Sequence, residues 1–325
     1  MSLPALVAPD SFKGTFSAAE VAHAIATGLR SGGREATELP VADGGEGTMD
    51  VLLALLDGER HTVEVSDPLG RSVEATFALL ADGTGVVECA QASGLGLVAQ
   101  DERDPIAAST RGTGELIVAA CEAGAEVVMV AVGGSATTDG GQGAVDVVAQ
   151  AGLRPRLEVV CDVRTPFEDA PRVFAPQKGA SREQVAELER RQQSLAEAAP
   201  KDPRGEPMTG AAGGLSGGLW AHFGARLVPG APYVLDRLGY DALMRASAFV
   251  VTGEGRLDRQ TLQGKIVGEV ATRARQAGVR CNAIVGSRAL SPFEARIIDL
   301  ETVTEATTVR ELEAAGRELA QWAGD

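Results

Sequence analysis

Lysine, asparagine and aromatic side chains are scarce in this chain, and its charge is not basic. Of 325 residues only four are lysine, at positions 13, 178, 201 and 265, against twenty-six arginines. Asn282 is the single asparagine, and aromatics make up 4%. A formal net charge of −15, with no basic stretch to compensate it, argues against nucleic acid and anionic membranes as partners. No apolar run approaches the ~20 residues a membrane span needs. The opening residues, MSLPALVAPDSFKG, carry neither a basic n-region nor an apolar h-region, so a cytoplasmic location is expected. The cysteines, Cys89, Cys121, Cys161 and Cys281, form neither a CxxC clip nor a small-domain disulfide framework. They read as buried thiols in a reducing compartment. His23, His61 and His222 do not cluster, which leaves little support for a histidine-based metal hydrolase or a histidine-activated nucleophile.

What is present is apolar strand segments that end in glycine-rich acidic or basic loops. Residues 3–9 read as a strand running into Asp10-Ser11-Phe12-Lys13-Gly14, followed by a helix that Ser17 and Glu20 open as a capping box. Residues 37–42 read as a second strand, closed by Asp43-Gly44-Gly45-Glu46-Gly47, and a helix follows over 49–56. This βαβα opening predicts a doubly wound α/β sheet, with both loops at strand carboxyl ends, where such sheets bind ligands. From residue 59 a period of two with turn signals at 67–70 and 82–83 predicts antiparallel strands. Strands at 126–132 and 157–163 and a polar helix from Ser181 continue this region. Residues 200–209 resemble a linker, and 210–218, GAAGGLSGG, is too rich in glycine for ordinary helix. Strands at 248–252 and 282–285 return late in the chain. They are expected to rejoin the first two, giving a discontinuous core domain of residues 1–58 plus 227–325 and an inserted α/β domain of residues 59–226.

The stretch 133–143, GGSATTDGGQG, lies between an apolar strand and an apolar-periodic helix. That arrangement aims backbone N–H groups and a helix N-terminus at an anion. It is neither a GxxxxGK[ST] loop nor a GxGxxG fingerprint, and a tight turn needing positive φ is the plainer alternative. Three of the four lysines stand beside glycine, in SFKG, QKG and QGK. In a chain that otherwise uses arginine, this suggests sites where a compact ammonium approaches an anion. Together the strand-end loops supply Asp10, Lys13, Asp43, Glu46, Asp139, Asp162, Gln177, Lys178, Glu254, Asp258 and Lys265. Such donors, lysines and carboxylates are what phosphoryl transfer requires.

The segments APDSFKGTFSA, PVADGGEGT, DPLGR, TRGTGELI, VGGSATTDGGQG, CDV, PQKGA, GAAGG and TGEGRLDRQTLQGK resemble, in order, those of the bacterial glycerate kinases that make 2-phosphoglycerate. The likeness spans residues 4 to about 286. It departs from the family at Thr138 and Thr165, where asparagine is usual, and at EDAPRV, where a glycine-rich stretch is usual. The resemblance implies a flavodoxin-like domain interrupted by a second α/β domain. It also implies ATP-dependent phosphorylation of D-glycerate to 2-phosphoglycerate, with Mg²⁺, in a cleft between the domains. A kinase for another small hydroxy acid, or a non-catalytic phosphate- or nucleotide-binding regulator, is the alternative. On this footing Lys13, Asp43, Asp162 and Asp258 are the catalytic candidates. Asp10, Ser11, Lys178, Lys265 and Arg71 are candidates for substrate or phosphate binding. Gly133, Gly134, Ser135, Thr137, Gly140 and Gly141 are candidates for nucleotide binding, and Glu46 and Asp139 for the metal. Asp43 and Glu46 are expected to face one side of a helix start. Glycerate and ATP are the expected partners, and self-association is left open.

Overall fold

The computed structural model describes residues 3–259, 261 and 265–322; residues 260 and 262–264 of the TGEGRLDRQTLQGK stretch lie outside them. The chain divides into two compact units. One comprises Met1–Asp43, Asp50–Leu55 and Gly230–Asp325, the other Gly44–Met49 and Leu56–Pro229. Along the chain the strands are β1 (Ala5–Pro9), β2 (Ala36–Glu38), β3 (Gly58–Ser66), β4 (Ser72–Leu80), β5 (Thr84–Glu88), β6 (Val127–Ala131) and β7 (Leu157–Cys161). They continue with β8 (Arg226–Pro229), β9 (Phe249–Gly253), β10 (Arg256–Leu257), β11 (Arg280–Val285), β12 (Ser287–Arg288) and β13 (Leu300–Glu305). Among the described residues no helix is long and apolar enough to cross a membrane.

The first unit holds a five-stranded sheet in the order β13-β11-β9-β1-β2, parallel throughout. β1 and β9 are buried along their whole length, as their unbroken apolar runs require of strands covered on both faces. The helix Ala18–Ser31 opens on the Ser17/Glu20 capping box and buries Val21, Ile25 and Leu29 at helical spacing. These pack with Leu312, Ala315 and Leu319 of the helix Val309–Trp322 and with Val7, Val251 and Ile284 of the sheet. The two helices cross backbone to backbone: a Cβ on Gly28 would lie 2.1 Å from the Glu313 carbonyl oxygen, and one on Gly316 would lie 2.3 Å from that of Ile25.

The second unit holds a six-stranded mixed sheet, β3-β4-β5-β6-β7-β8. β3, β4 and β5 pair antiparallel, and β5 to β8 pair parallel. The Asp67 carboxylate closes the β3–β4 turn by accepting from the N–H of Leu69 and Arg71, both at 2.8 Å. Two expectations need correction here. Residues 200–209 are no linker, since Thr209 is fully buried and donates to the carbonyls of Pro203 and Glu206. The glycine-rich 210–218 does enter a helix, Ala211–Phe223, but through a left-handed turn at Ala212, Gly213 and Gly214, with φ of 51, 66 and 97°. Glycine supplies that conformation at two of the three positions with no Cβ penalty.

The crossing of the two helices in the first unit admits no side chain at its closest points. Gly28→Ala and Gly316→Ala should each cost about 1–3 kcal/mol, the usual penalty of overpacking. Gly96→Ala, at a position with open space around it, should stay within about 0.5 kcal/mol of the parent. Urea unfolding of the three variants checks this.

Candidate active site

Because β1, β9 and β11 run parallel, their carboxyl ends share one edge of the sheet. The residues that follow them, Asp10, Glu254 and Gly286, line a cavity of about 400 Å³ together with Lys13, Asp43, Arg256, Asp258, Lys265 and Thr307. β1 lies between β2 and β9, so chain connections leave it in opposite directions. That is the switch point at which open α/β sheets leave a crevice for ligands.

The local chain geometry presents these side chains. Phe12 pairs with Phe16 around Gly14, whose φ is 78°, which puts exposed Lys13 in a tight turn. Glu254 stands between two glycines that packing enforces. A Cβ on Gly253 would meet the Ile284 carbonyl oxygen at 2.1 Å, and one on Gly255 would come within 3.3 Å of the Phe12 Cα. The Thr261 hydroxyl donates to Glu254 Oε1 at 2.6 Å and accepts from the Asp258 N–H at 3.2 Å. Lys265 precedes the helix Ile266–Ala277 as its N-cap.

Burial dominates the electrostatics. Asp10, 7% exposed, accepts from the Ser11 N–H at 2.6 Å. Its carboxyl is nevertheless pushed up to about 7, first by burial and then by the charge of Asp43, with Lys13 opposing. Glu254, 8% exposed, is likewise pushed up to about 7 by burial, against the Thr261 hydrogen bond and the charge of Lys265. Two carboxyls near 7 can exchange protons at neutral pH. Asp10, expected to bind substrate or phosphate, stands in this acid cluster.

The second unit arranges its glycine loop differently from the expectation. Asp139 accepts from the N–H of Thr110 (2.8 Å), Gly141 (3.1 Å) and Gly143 (3.2 Å) and from the Thr110 hydroxyl (2.9 Å). The first N–H groups of the helix Gln142–Gln150 thus already hold an anion, the protein's own. Both oxygens of this carboxylate, the expected metal contact, accept from protein donors. Gly140 and Gly141 are also used in packing: added Cβ atoms would lie 2.7 Å from Leu195 Cδ1 and 2.9 Å from the Leu215 Cα. Gly133 closes on Gly45, with 2.7 Å between its added Cβ and that Cα. Lys178 is buried and donates to Ser135 Oγ at 2.9 Å and to the Thr137 carbonyl. Burial draws its ammonium down to about 8. No carboxylate lies within ion-pair distance of it among the described residues. The buried hydroxyls of Thr137 and Thr138 have no hydrogen-bond partner among the described residues.

Of the residues singled out in the sequence, the first unit gathers Asp10, Ser11, Lys13, Asp43, Asp258 and Lys265 around one cavity. The second unit gathers Ser135, Thr137 and Lys178. The expected Asp43–Glu46 pairing on a helix face has no basis. The helix begins at Thr48, residues 44 and 47 have positive φ, and the two acids belong to different units. Asp162 is exposed just after β7. Arg71 commits its guanidinium to Asp67 (2.6 Å), Glu102 (3.1 Å) and the Leu97 carbonyl (3.2 Å). Glu254 stood among the strand-end residues suited to phosphoryl transfer but was given no individual role, although an acid between two glycines after a buried strand was a visible signal. Thr307 had none, because only β13 beside β11 brings it to the cavity.

The raised carboxyls make stability depend on pH. Glu254 is neutral in the folded protein below about 7, whereas the unfolded chain ionises it near the ordinary 4.5. Folded stability is therefore lost as pH rises from 4.5 through 7, by up to about 3 kcal/mol at 1.36 kcal/mol per unit. Glu254→Gln should raise the melting temperature relative to the parent more at pH 8 than at pH 5, and an equal difference at both would refute this.

Two overlapping segments, residues 5–154 and 148–322, match the model of the glycerate kinase family. The chain is 38% identical to the glycerate 2-kinase of Escherichia coli K12 over 322 residues, covering 87% of this chain and 84% of that one. It is 39% identical to a glycerate kinase of Halalkalibacterium halodurans over 322 residues, covering 87% and 85%. The crystal structure of a candidate glycerate kinase 2 from Salmonella typhimurium LT2 superposes with a TM-score of 0.84 at 33% identity, covering 99% of this chain and 98% of that one. The chain belongs to the glycerate kinase family.

Proposed function

We propose that this enzyme transfers the γ-phosphoryl group of ATP to the 2-hydroxyl of D-glycerate, giving 2-phosphoglycerate. The observation that carries the reading is the cavity at the carboxyl edge of the parallel sheet, where Lys13 and Lys265 converge with Asp10, Asp43, Glu254 and Asp258. Phosphoryl transfer demands mainly positioning and charge stabilisation, and this set offers both signs of charge around a space suited to a small substrate. In this reading Lys13 and Lys265 offset the anionic groups of the substrates, against the −15 background. Asp43 and Asp258 orient the acceptor and its surroundings. Lys178, with Ser135 and residues 133–135 of the glycine loop, is the second anion-binding element, and Asp162 stands as a further catalytic candidate at the end of β7.

Mg²⁺ enters the reading as part of the MgATP substrate. Among the described residues no group of three or more histidine, cysteine or acidic side chains could hold a metal ion. Mg²⁺ in such sites is usually held mainly by phosphate and water with one or two carboxylates. Glu46 remains a candidate for such a contact. We also read the first unit as flavodoxin-like, because its strands run β2-β1-β9-β11-β13, the 2-1-3-4-5 order of that fold. The second unit is then the insertion, its chain lying between the pieces of the first.

A coupled ADP-release assay over a panel of hydroxy acids tests the substrate, and ³¹P NMR of the product tests which hydroxyl is phosphorylated. Turnover with D-glycerate is expected; turnover with another acid alone would move the specificity, and nucleotide binding without turnover would remove the activity. Lys13→Ala, Asp43→Ala and Asp162→Ala should each lower kcat by about 100-fold or more, with the melting temperature within about 3 °C of the parent. Near-parental turnover in all three would overturn the site.

A further inference from the structure

We infer that Glu254 is the catalytic residue that accepts the substrate's hydroxyl proton during phosphoryl transfer, and that Thr261 is the positioning residue that aims it. The inference rests on the kinase reading above and names the base within that site.

The acids in the cavity differ in how their oxygens are held. Asp10 Oδ1 is bound by the N–H of its own neighbour, Ser11, and its carboxyl feels Asp43 more strongly than any other charge. Asp258 is half-buried and lies 3.7 Å from the Arg256 guanidinium. Glu254 is held by one oxygen only. The Thr261 hydroxyl receives the Asp258 N–H and directs its own proton to Glu254 Oε1, which fixes the carboxyl plane. Oε2 accepts no hydrogen bond from the described residues, on a side chain that lines the cavity. A carboxylate anchored at one oxygen on a side chain that lines the cavity has the geometry a general base requires.

The charges facing this group are mixed. Asp43 and Asp258 favour its protonation and Lys265 favours the carboxylate; Asp10 and Glu254 repel each other as anions, and Lys13 and Arg256 line the same cavity. Burial holds its proton affinity near neutrality, so it can take a proton in the reaction and release it afterwards. The glycerate hydroxyl oxygen forms a bond to the γ-phosphorus, and the bond from that phosphorus to the bridging oxygen of ADP breaks. The electron pair of the broken bond leaves with ADP, and the hydroxyl proton passes to Glu254 Oε2 and then to solvent.

The test measures kcat, KM for D-glycerate and the pH profile with MgATP. The proteins are the parent, Glu254→Gln, Glu254→Asp, Thr261→Val and Thr261→Ser, each with its melting temperature. Glu254→Gln should lower kcat by about 100-fold or more with KM within about threefold, and should abolish the fall in rate on the acid side. Thr261→Val should lower kcat about tenfold and displace the acid limb, while Thr261→Ser, which keeps the hydroxyl, should restore both. A Glu254→Gln protein within threefold of the parent kcat, or one that keeps the parental acid limb, overturns the assignment. If that variant does not fold, a Thr261→Val protein with unchanged kcat and pH profile overturns it instead. Parent activity is measured first: a parent that phosphorylates no hydroxy acid refutes the kinase reading, whereas an active parent with an indifferent Glu254 refutes only the choice of base.

Discussion

Asp10 and Glu254 sit buried at neighbouring strand ends because β1 and β9 run parallel and in register, Pro9 against Gly253. Two carboxyls taken out of water at one sheet edge are costly as anions, and their proton affinity rises to about 7 in consequence. Much of the first unit's arrangement follows from this placement. Gly253, Gly255 and Gly286 let backbone close around the acids, Thr261 fixes one oxygen of Glu254, and Lys13 and Lys265 bring cations to the rim. The same burial that lowers stability at neutral pH gives the two carboxyls a proton affinity near neutrality, and such perturbed groups cluster at functional sites.

The second unit solves the reverse problem. The N-terminus of the helix Gln142–Gln150 attracts negative charge, and Asp139 supplies it from within the loop. The glycines around it are there because Leu195, Phe167 and Leu215 press against the loop. Nearby, the buried Lys178 ammonium donates to Ser135 and to the Thr137 carbonyl and has no carboxylate within ion-pair distance among the described residues.

The four lysines sort accordingly. Lys13 and Lys265 line the acid cavity, Lys178 ties its turn to the glycine loop, and Lys201 lies over the Trp220 ring, 3.4 Å from its centroid. The lysines beside glycine are the ones that reach polar interior space; the one without a glycine neighbour makes a cation–π contact instead.

The sequence by itself determined the alternation of strands and helices and most helix starts. Capping boxes at Ser17, Ser181 and Thr308 are local, and so are the apolar periods that follow them. It also marked the strand-end loops as the places for chemistry, because parallel strands deliver such loops to one edge whatever their order. Only the tertiary structure decided how those loops are used. Asp139 reads the same in sequence whether its oxygens face a metal or backbone N–H groups, and only folding brought Thr110, Gly141 and Gly143 to them. Asp43 and Glu46, three apart along the chain, fall into different units, since a local spacing argument holds only where the backbone is already helical. Glu254 carries weight because strands more than two hundred residues apart in sequence place it beside Asp10 and remove both from water. Desolvation is a property of the whole packed surround, and no window of sequence contains it.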